Sequence, residues 1–102
     1  VLVPPVSADA ERLRRAAVEA FERGCQAAVA GARMRDVGGV VESVARAHGV
    51  VVLKDLAGHG IGRKLHEPPD VPNWADPDNT AVLHEGLVFA LEPMFALRDH
   101  RI

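Results

Sequence analysis

The sequence predicts an α+β fold in which two helices pack on one side of a curved, mainly antiparallel sheet. In the first half, apolar residues recur at three- and four-residue spacing, which is the helical period. The second half is dense in glycine, proline and aspartate, so a long helix is excluded there and short apolar runs read as strands. With 102 residues, the chain can form one domain with a modest core.

The first helix is predicted from about Ala8 to about Ala30. Ser7 is a suitable N-cap, and acidic residues in the first turn complement the helix dipole. Small residues dominate the apolar face, which predicts close packing against a sheet or another helix. Cys25 lies on this face and is predicted to belong to the core. The face consists of Leu13, Ala16, Ala17, Ala20, Phe21, Gly24, Ala27 and Ala28.

The second helix and the first strand follow directly. Asp36 can cap a helix with a valine-rich buried stripe, and Gly49 follows as the residue that ends it. The apolar run at residues 50–53 reads as a short strand buried on both faces. Turns are predicted at residues 76–79 and 85–86, where turn-forming residues cluster.

Glu92 is a single carboxylate in an apolar run. Residues 87–91 read as a strand, and alternation places Glu92 on the same face as two smaller side chains, which leaves room beside it. An isolated carboxylate in such a run is unfavourable unless it is paired or neutralised. A metal ion, a hydrogen-bonding network, or an ion pair with Arg63 or Arg98 would each meet that need.

Residues 58–69 place two histidines, a carboxylate and three closely spaced glycines together. The glycines leave little bulk around His59, which permits close approach of backbone or of a ligand to its ring. A neutral imidazole with a carboxylate suits zinc, manganese, iron or cobalt. A hydrogen-bonded core histidine is the structural alternative. We predict that the chain brings His59 and Glu92 together.

His66 and Glu67 do not form the HExxH metal motif, because that motif needs a second histidine four residues later on a helix. Position 70 is Asp70, and two prolines break any helix there. If His66 and His59 face one site, the glycine-rich segment must bend between them. A surface histidine beside Glu67 is the structural alternative.

Composition argues against several classes of partner. The net charge is −2, with acids and bases interspersed, so neither a nucleic-acid footprint nor a polybasic membrane signal is present. No apolar run approaches the roughly 18 residues of a membrane-spanning helix. One cysteine excludes an internal disulfide and fits a reducing compartment. We expect a cytoplasmic protein without nucleic-acid or membrane partners, and a chain that is a piece of a longer protein.

The chain resembles the methionine aminopeptidases, within the pita-bread metallopeptidase superfamily, in two motifs at a matching separation. These are residues 58–74 (GHGIGRKLHEPPDVPNW) and 85–94 (EGLVFALEPM). The resemblance implies that residues 1–102 are a single partial catalytic domain of pita-bread fold. It also implies a metallo-exopeptidase that removes the N-terminal methionine from peptides and nascent proteins.

The resemblance also implies roles for four residues. His59 and Glu92 would be metal ligands, and Glu92 would also move protons on the metal-bound water. His66 would contact the scissile amide, and Leu65 would line the methionine pocket. The cofactor would be two divalent metal ions, of cobalt, manganese, iron or zinc. The family's site has five side-chain ligands, of which two aspartates and a second glutamate would lie outside this chain, so the chain alone is not expected to be active.

Two alternative functions remain. The first is a pita-bread pseudoenzyme that uses the substrate cleft to bind peptides or proteins. The second is a relative of the dipeptidases that cleave Xaa-Pro bonds. Met94 stands where those relatives tend to have glycine, which favours the methionine-specific branch. The sequence does not indicate an oligomeric state.

Overall fold

The computed structural model describes residues 1–98 of the chain. This part contains two helices and five short strands. All strand pairs are antiparallel: β1 pairs with β5, and a three-stranded sheet has the order β3-β2-β4. The helices pack on each other, α2 contacts β1 and β3, and α1 contacts β5. The α+β prediction is confirmed. The elements are α1 (Ala8–Ala27), α2 (Met34–Ala47), β1 (Val51–Val52), β2 (Ala57–Gly60), β3 (Glu67–Pro72), β4 (Phe89–Ala90) and β5 (Phe95–Ala96).

Helix α1 begins as predicted and ends earlier than predicted. The Ser7 hydroxyl accepts a hydrogen bond from the Ala10 backbone N–H at 3.0 Å, which confirms the N-cap. The helix ends at Ala27 rather than near Ala30. The reason is tertiary: the Gly31 N–H donates to the Leu83 carbonyl at 2.8 Å, so the chain leaves the helical path to pair with a distant segment.

The buried stripe of α1 is narrower than the sequence predicted. Ala16, Ala20 and Gly24 are fully or nearly fully buried at four-residue spacing against α2 and the sheet. Cys25 is exposed, so its assignment to the core was wrong, and Phe21 is 48% exposed. Cys25 and Phe21 each follow a buried residue by one position. One helical step rotates the side chain by about 100°, so both side chains turn away from the buried stripe.

Helix α2 begins at Met34, so Asp36 lies in its first turn and the predicted cap was wrong. No side chain caps this end. The Ala81 carbonyl instead accepts from the Met34 N–H at 2.9 Å, so backbone from another segment replaces the cap. Gly49 follows the helix with a φ of +68°, which confirms the predicted glycine stop.

The first predicted strand is shorter and less buried than expected. Only Val51 and Val52 join the β1–β5 ladder, and both are half-buried because this sheet has just two strands. Residues 87–91 likewise contribute only the two residues of β4. Their predicted alternation is nevertheless confirmed, since the side chains on one face pack against the core: Leu87, Phe89 and Leu91.

Strand β3 was missed from sequence because it contains three of the chain's prolines, Pro68, Pro69 and Pro72. Proline cannot donate to a ladder and is confined to edge strands. β3 is an edge strand of the three-stranded sheet, with β2 as its single partner. The core lies between the helices and this sheet, and Met34, Val37 and Val71 are among its fully buried members. Within residues 1–98, no helix is long and apolar enough to cross a membrane.

The first turn of α1 contributes a pH-dependent term to stability. Arg14 donates a 2.6 Å hydrogen bond to Glu11, and this bond with the nearby arginine charges holds the pKa of the Glu11 carboxyl below its usual value. A lowered folded-state pKa stabilises the fold above the usual pKa and loses that effect as the pH falls through the lowered value. Glu11→Gln should therefore lower the melting temperature slightly at neutral pH and low salt.

The difference between Glu11→Gln and the parent protein should vanish at pH values well below the carboxyl pKa, because both side chains are then neutral. High salt should also shrink it, since the pair is exposed. Glu22→Gln is the matched control, because Glu22 is exposed on the same helix and has no ion pair among the described residues. An equal loss in both variants, or a loss that persists in acid, would contradict the assignment.

Candidate metal centre

His59 and Glu92 lie together, as the sequence predicted. His59 is in β2, and Glu92 follows two residues after β4. The antiparallel β2–β4 pairing sets His59 opposite Ala90, which brings the following residues alongside the ring. The distance from His59 Nε2 to Glu92 Oε2 is 3.6 Å. A ring nitrogen and a carboxylate oxygen therefore face one another across the strand pair.

The glycines flanking His59 serve close backbone packing. A Cβ at Gly58 would lie 1.9 Å from the Ala90 carbonyl oxygen, and one at Gly60 would lie 2.3 Å from the Pro68 carbonyl oxygen. Both distances are far below any real contact, so any side chain would push a neighbouring strand away. The sequence allowed for close approach of either backbone or a ligand at these glycines. The structure shows close approach of backbone.

The backbone also fixes the tautomer of His59. Its Nδ1 lies 3.0 Å from the Gly60 carbonyl oxygen. A carbonyl can only accept, so Nδ1 carries the hydrogen when this bond forms. Nε2 then presents its lone pair toward Glu92. A backbone carbonyl on the other ring nitrogen is one of the usual ways in which proteins orient a metal-binding histidine.

His66 returns to the same place because the chain bends. The β2–β3 register shifts between His59 and Gly60, and residues 62–66 form a series of bends. As a result, the ring centroids of His59 and His66 are 4.0 Å apart at an interplanar angle of 43°. His66 is exposed, whereas its neighbour His59 is half-buried. The predicted bend is confirmed.

Glu67 orders this bend, a role that the sequence did not predict. Its Oε2 accepts a 2.7 Å hydrogen bond from the Lys64 backbone N–H. A Cβ at Gly62 would lie 2.3 Å from Glu67 Oε1, so the loop closes tightly around the carboxylate. Leu65 protrudes from the same loop and is 69% exposed.

Glu92 is less buried than the apolar run implied. Its side chain is 40% exposed, so the carboxylate is partly solvated and its need for a partner is weaker than predicted from the sequence. The physical reason is that its face of β4 is open, as the 56% exposure of Val88 shows. In residues 1–98, the basic group at ion-pair distance is His59 rather than Arg63 or Arg98.

Asn73 is a second residue whose role was not predicted from the sequence, and it contacts the Glu92 backbone from the protein interior. Asn73 is fully buried, and its Nδ2 donates a 2.7 Å hydrogen bond to the Glu92 carbonyl. A signal was available, because Asn73 is a polar residue between Pro72 and Trp74, in a stretch with an apolar neighbour on each side.

The donor set fits part of a divalent metal site. A neutral imidazole nitrogen and a carboxylate suit zinc, manganese, iron or cobalt. Across the described ranges, no group of three or more His, Cys, Asp or Glu side chains is placed to hold a metal ion. Three or more protein ligands are the rule for a catalytic zinc. His59 and Glu92 can therefore supply two ligands, and further ligands would have to come from elsewhere.

Known proteins resemble this chain over almost its whole length. A methionine aminopeptidase of Clostridium perfringens is 38% identical over 97 residues, which cover 95% of this chain and 39% of that protein. The crystal structure of a methionine aminopeptidase from Thermotoga maritima superposes with a TM-score of 0.92 at 33% identity, covering 99% of this chain and 41% of that one. The chain thus spans about two fifths of the length of these relatives.

A second solved structure bears on the dipeptidase alternative. An X-Pro aminopeptidase from Thermotoga maritima superposes with a TM-score of 0.72 at 28% identity, over 91% of this chain and 26% of that one. Both likenesses confirm the α+β part-domain of pita-bread type. Residues 1–101 match the family model described as metallopeptidase family M24. The chain belongs to metallopeptidase family M24.

Proposed function

We propose that this chain forms part of the active site of a metal-dependent aminopeptidase that removes the N-terminal methionine from peptides and nascent proteins. The observation that carries the proposal is the His59–Glu92 pair, with its ring oriented by backbone and its free Nε2 facing the carboxylate at 3.6 Å. The family match and the higher similarity to methionine aminopeptidases than to the X-Pro aminopeptidase support it. Action on nascent chains would place the protein in the cytoplasm.

His59 and Glu92 would contribute two of the ligands of a site for two divalent ions, and the other ligands would come from outside residues 1–98. Bound divalent ions would supply Lewis acidity and a hydroxide near neutral pH. His59 would hold one ion through Nε2, and Glu92 would bind through its carboxylate. Co²⁺, Mn²⁺, Fe²⁺ and Zn²⁺ are all compatible with this donor pair.

Accessible side chains would carry out proton transfer and substrate binding. Glu92 is 40% exposed, so its carboxylate can accept a proton and deliver it to the leaving amine. His66 is exposed beside His59, so a ring N–H at its edge would be able to donate to the carbonyl oxygen of the scissile amide as negative charge develops there. Leu65, which is 69% exposed on the same loop, would contact the substrate's methionine side chain.

Hydrolysis of defined peptides by the intact protein tests this function. A tripeptide with N-terminal methionine followed by alanine should be cleaved after methionine when Co²⁺ or Mn²⁺ is added and not after chelation. The same tripeptide with N-terminal leucine should be cleaved far more slowly. Cleavage of a Leu-Pro dipeptide instead would favour the dipeptidase relative. Binding of the peptide without hydrolysis, whichever divalent metal ion is added, would favour the pseudoenzyme.

A further inference from the structure

Asn73 is a buried polar residue that a simple packing role does not explain. Its side chain is fully buried, and its Nδ2 donates to the Glu92 carbonyl at 2.7 Å. That bond determines which way the amide faces, because a carbonyl cannot donate. The Asn73 Oδ1 is then buried without a hydrogen-bond partner among the described residues, which is unfavourable. An apolar residue would avoid this penalty but could not contact the carbonyl in the same way.

The Glu92 backbone depends on this contact because β4 has already ended. The ladder with β2 stops at Ala90. The next backbone hydrogen bond along the chain is from the Leu53 N–H to the Met94 carbonyl, at 3.0 Å. Between these two points, in the described part of the chain, the Asn73 amide is the group that donates to Glu92 and no backbone group does so.

Asn73 is itself held firmly on both sides. A Cβ at Gly38 would lie 2.2 Å from the Trp74 carbonyl oxygen and 2.8 Å from the Pro72 carbonyl oxygen, so the α2 backbone abuts both neighbours of Asn73. These contacts leave the segment little freedom to move toward the helix. The amide is therefore a fixed donor.

The same segment also fixes His59. In the β2–β3 ladder, Asp70 pairs with His59, and Pro72 pairs with Ala57. Residues 70–73 thus hold the histidine through the ladder and the glutamate through the Asn73 amide. The 3.6 Å distance between Nε2 and Oε2 is set from one short piece of backbone.

We propose that Asn73 is a positioning residue that holds the Glu92 backbone so that its carboxylate and the His59 ring can bind one divalent ion. The proposal rests on the proposed function only in taking Glu92 and His59 as metal ligands. Loss of a group that orients a ligand typically weakens metal affinity roughly 10- to 100-fold. Asn73→Leu has a similar side-chain size but cannot donate a hydrogen bond in any protonation state, so the Co²⁺ affinity of this variant should fall by that amount.

The experiment measures Co²⁺ affinity of the intact protein by calorimetry and the visible absorption of the bound ion. Ser43→Ala is the matched control, because the exposed Ser43 hydroxyl also donates to a backbone carbonyl, that of Val40, at 2.8 Å, and does not touch Glu92. Asn73→His is the conservative variant, because its Nδ1 stands as many bonds from Cβ as the asparagine Nδ2. Asn73→His and Ser43→Ala should bind Co²⁺ nearly as tightly as the parent protein.

The outcomes separate this proposal from the proposed function. Parent-like Co²⁺ affinity and absorption in Asn73→Leu would overturn the positioning role while leaving the peptidase assay untouched. A parent protein that binds Co²⁺ but does not cleave peptides would contradict the function and leave the Asn73 comparison intact. If Asn73→Leu does not fold, Asn73→Ala decides: a loss of about tenfold or more in the folded protein supports the role, and parent-like affinity overturns it.

Discussion

Replacing Gly58 by alanine is expected to destabilise the fold more than any other single methyl group added to the sheet. The new Cβ would lie 1.9 Å from the Ala90 carbonyl oxygen and 3.3 Å from the Val71 Cβ. The first of these atoms is backbone, so no rotamer change can relieve the clash, and β4 must move. Overpacking typically costs about 1–3 kcal/mol, and we expect Gly58→Ala to lie at or above the upper end of that range.

The displacement should also separate the two halves of the candidate site. His59 is adjacent to Gly58 in β2, whereas Glu92 follows β4. Gly58→Ala should therefore weaken Co²⁺ binding in whatever fraction remains folded. Urea unfolding monitored by circular dichroism measures the free energy of unfolding. Calorimetry on the folded protein measures the Co²⁺ affinity.

Gly39→Ala is the control for added volume at a glycine. Its Cβ would meet only the Ala75 Cβ, at an ordinary 3.5 Å, and it lies inside α2. Alanine should raise stability there by about 0.5–1 kcal/mol, because it restricts the unfolded chain and favours the helix. Equal stability of Gly58→Ala and the parent protein would show that β4 does not press on β2 as the structure has it.

These glycines also explain which parts of the fold the sequence could predict. The helices follow a local period, and Gly49 ends α2 for a local reason, so both were predictable. Strands β2 and β3 are rich in glycine and proline, which are poor strand formers in isolation. They exist because distant backbones approach closely at Gly58 and Gly60, and such contacts leave no periodic signal.

The candidate site, like the fold, has parts that the sequence predicts and parts that depend on tertiary contacts. His59, His66 and Glu92 were identified by residue type and motif, and the structure brings them together. Whether each has its predicted role stays a prediction. The exposure of Glu92 was misjudged because β4 has an open face, which is a tertiary property. Asn73 was missed because its contact joins residues 19 positions apart in sequence.

His59→Ala is expected to cause the largest loss of metal binding among substitutions in the described residues. Removing a direct ligand must exceed the roughly 10- to 100-fold loss that follows from disturbing a group that merely orients one. We therefore expect Co²⁺ affinity to fall by more than about 100-fold. Glu92→Gln should have a comparable effect, because it removes the negative charge while keeping the side-chain shape. Calorimetric titration of the intact protein measures both.

His84→Ala is the matched control for loss of an imidazole. The His84 Nδ1 lies 3.1 Å from the carbonyl oxygen of the next residue, which repeats the local contact of His59. His84 is exposed, however, and no carboxylate lies at ion-pair distance from it in residues 1–98. Its loss should leave Co²⁺ affinity near the parent value.

A purely structural role for the pair makes the opposite prediction. If His59 and Glu92 serve only as an ion pair, His59→Ala should lower the free energy of unfolding without changing Co²⁺ affinity. Its side chain is 16% exposed, so some loss of stability is expected in either case. Metal affinity is therefore the deciding measurement. A folded His59→Ala protein that binds Co²⁺ as tightly as His84→Ala would remove His59 from the metal site and leave it as a packing residue of β2.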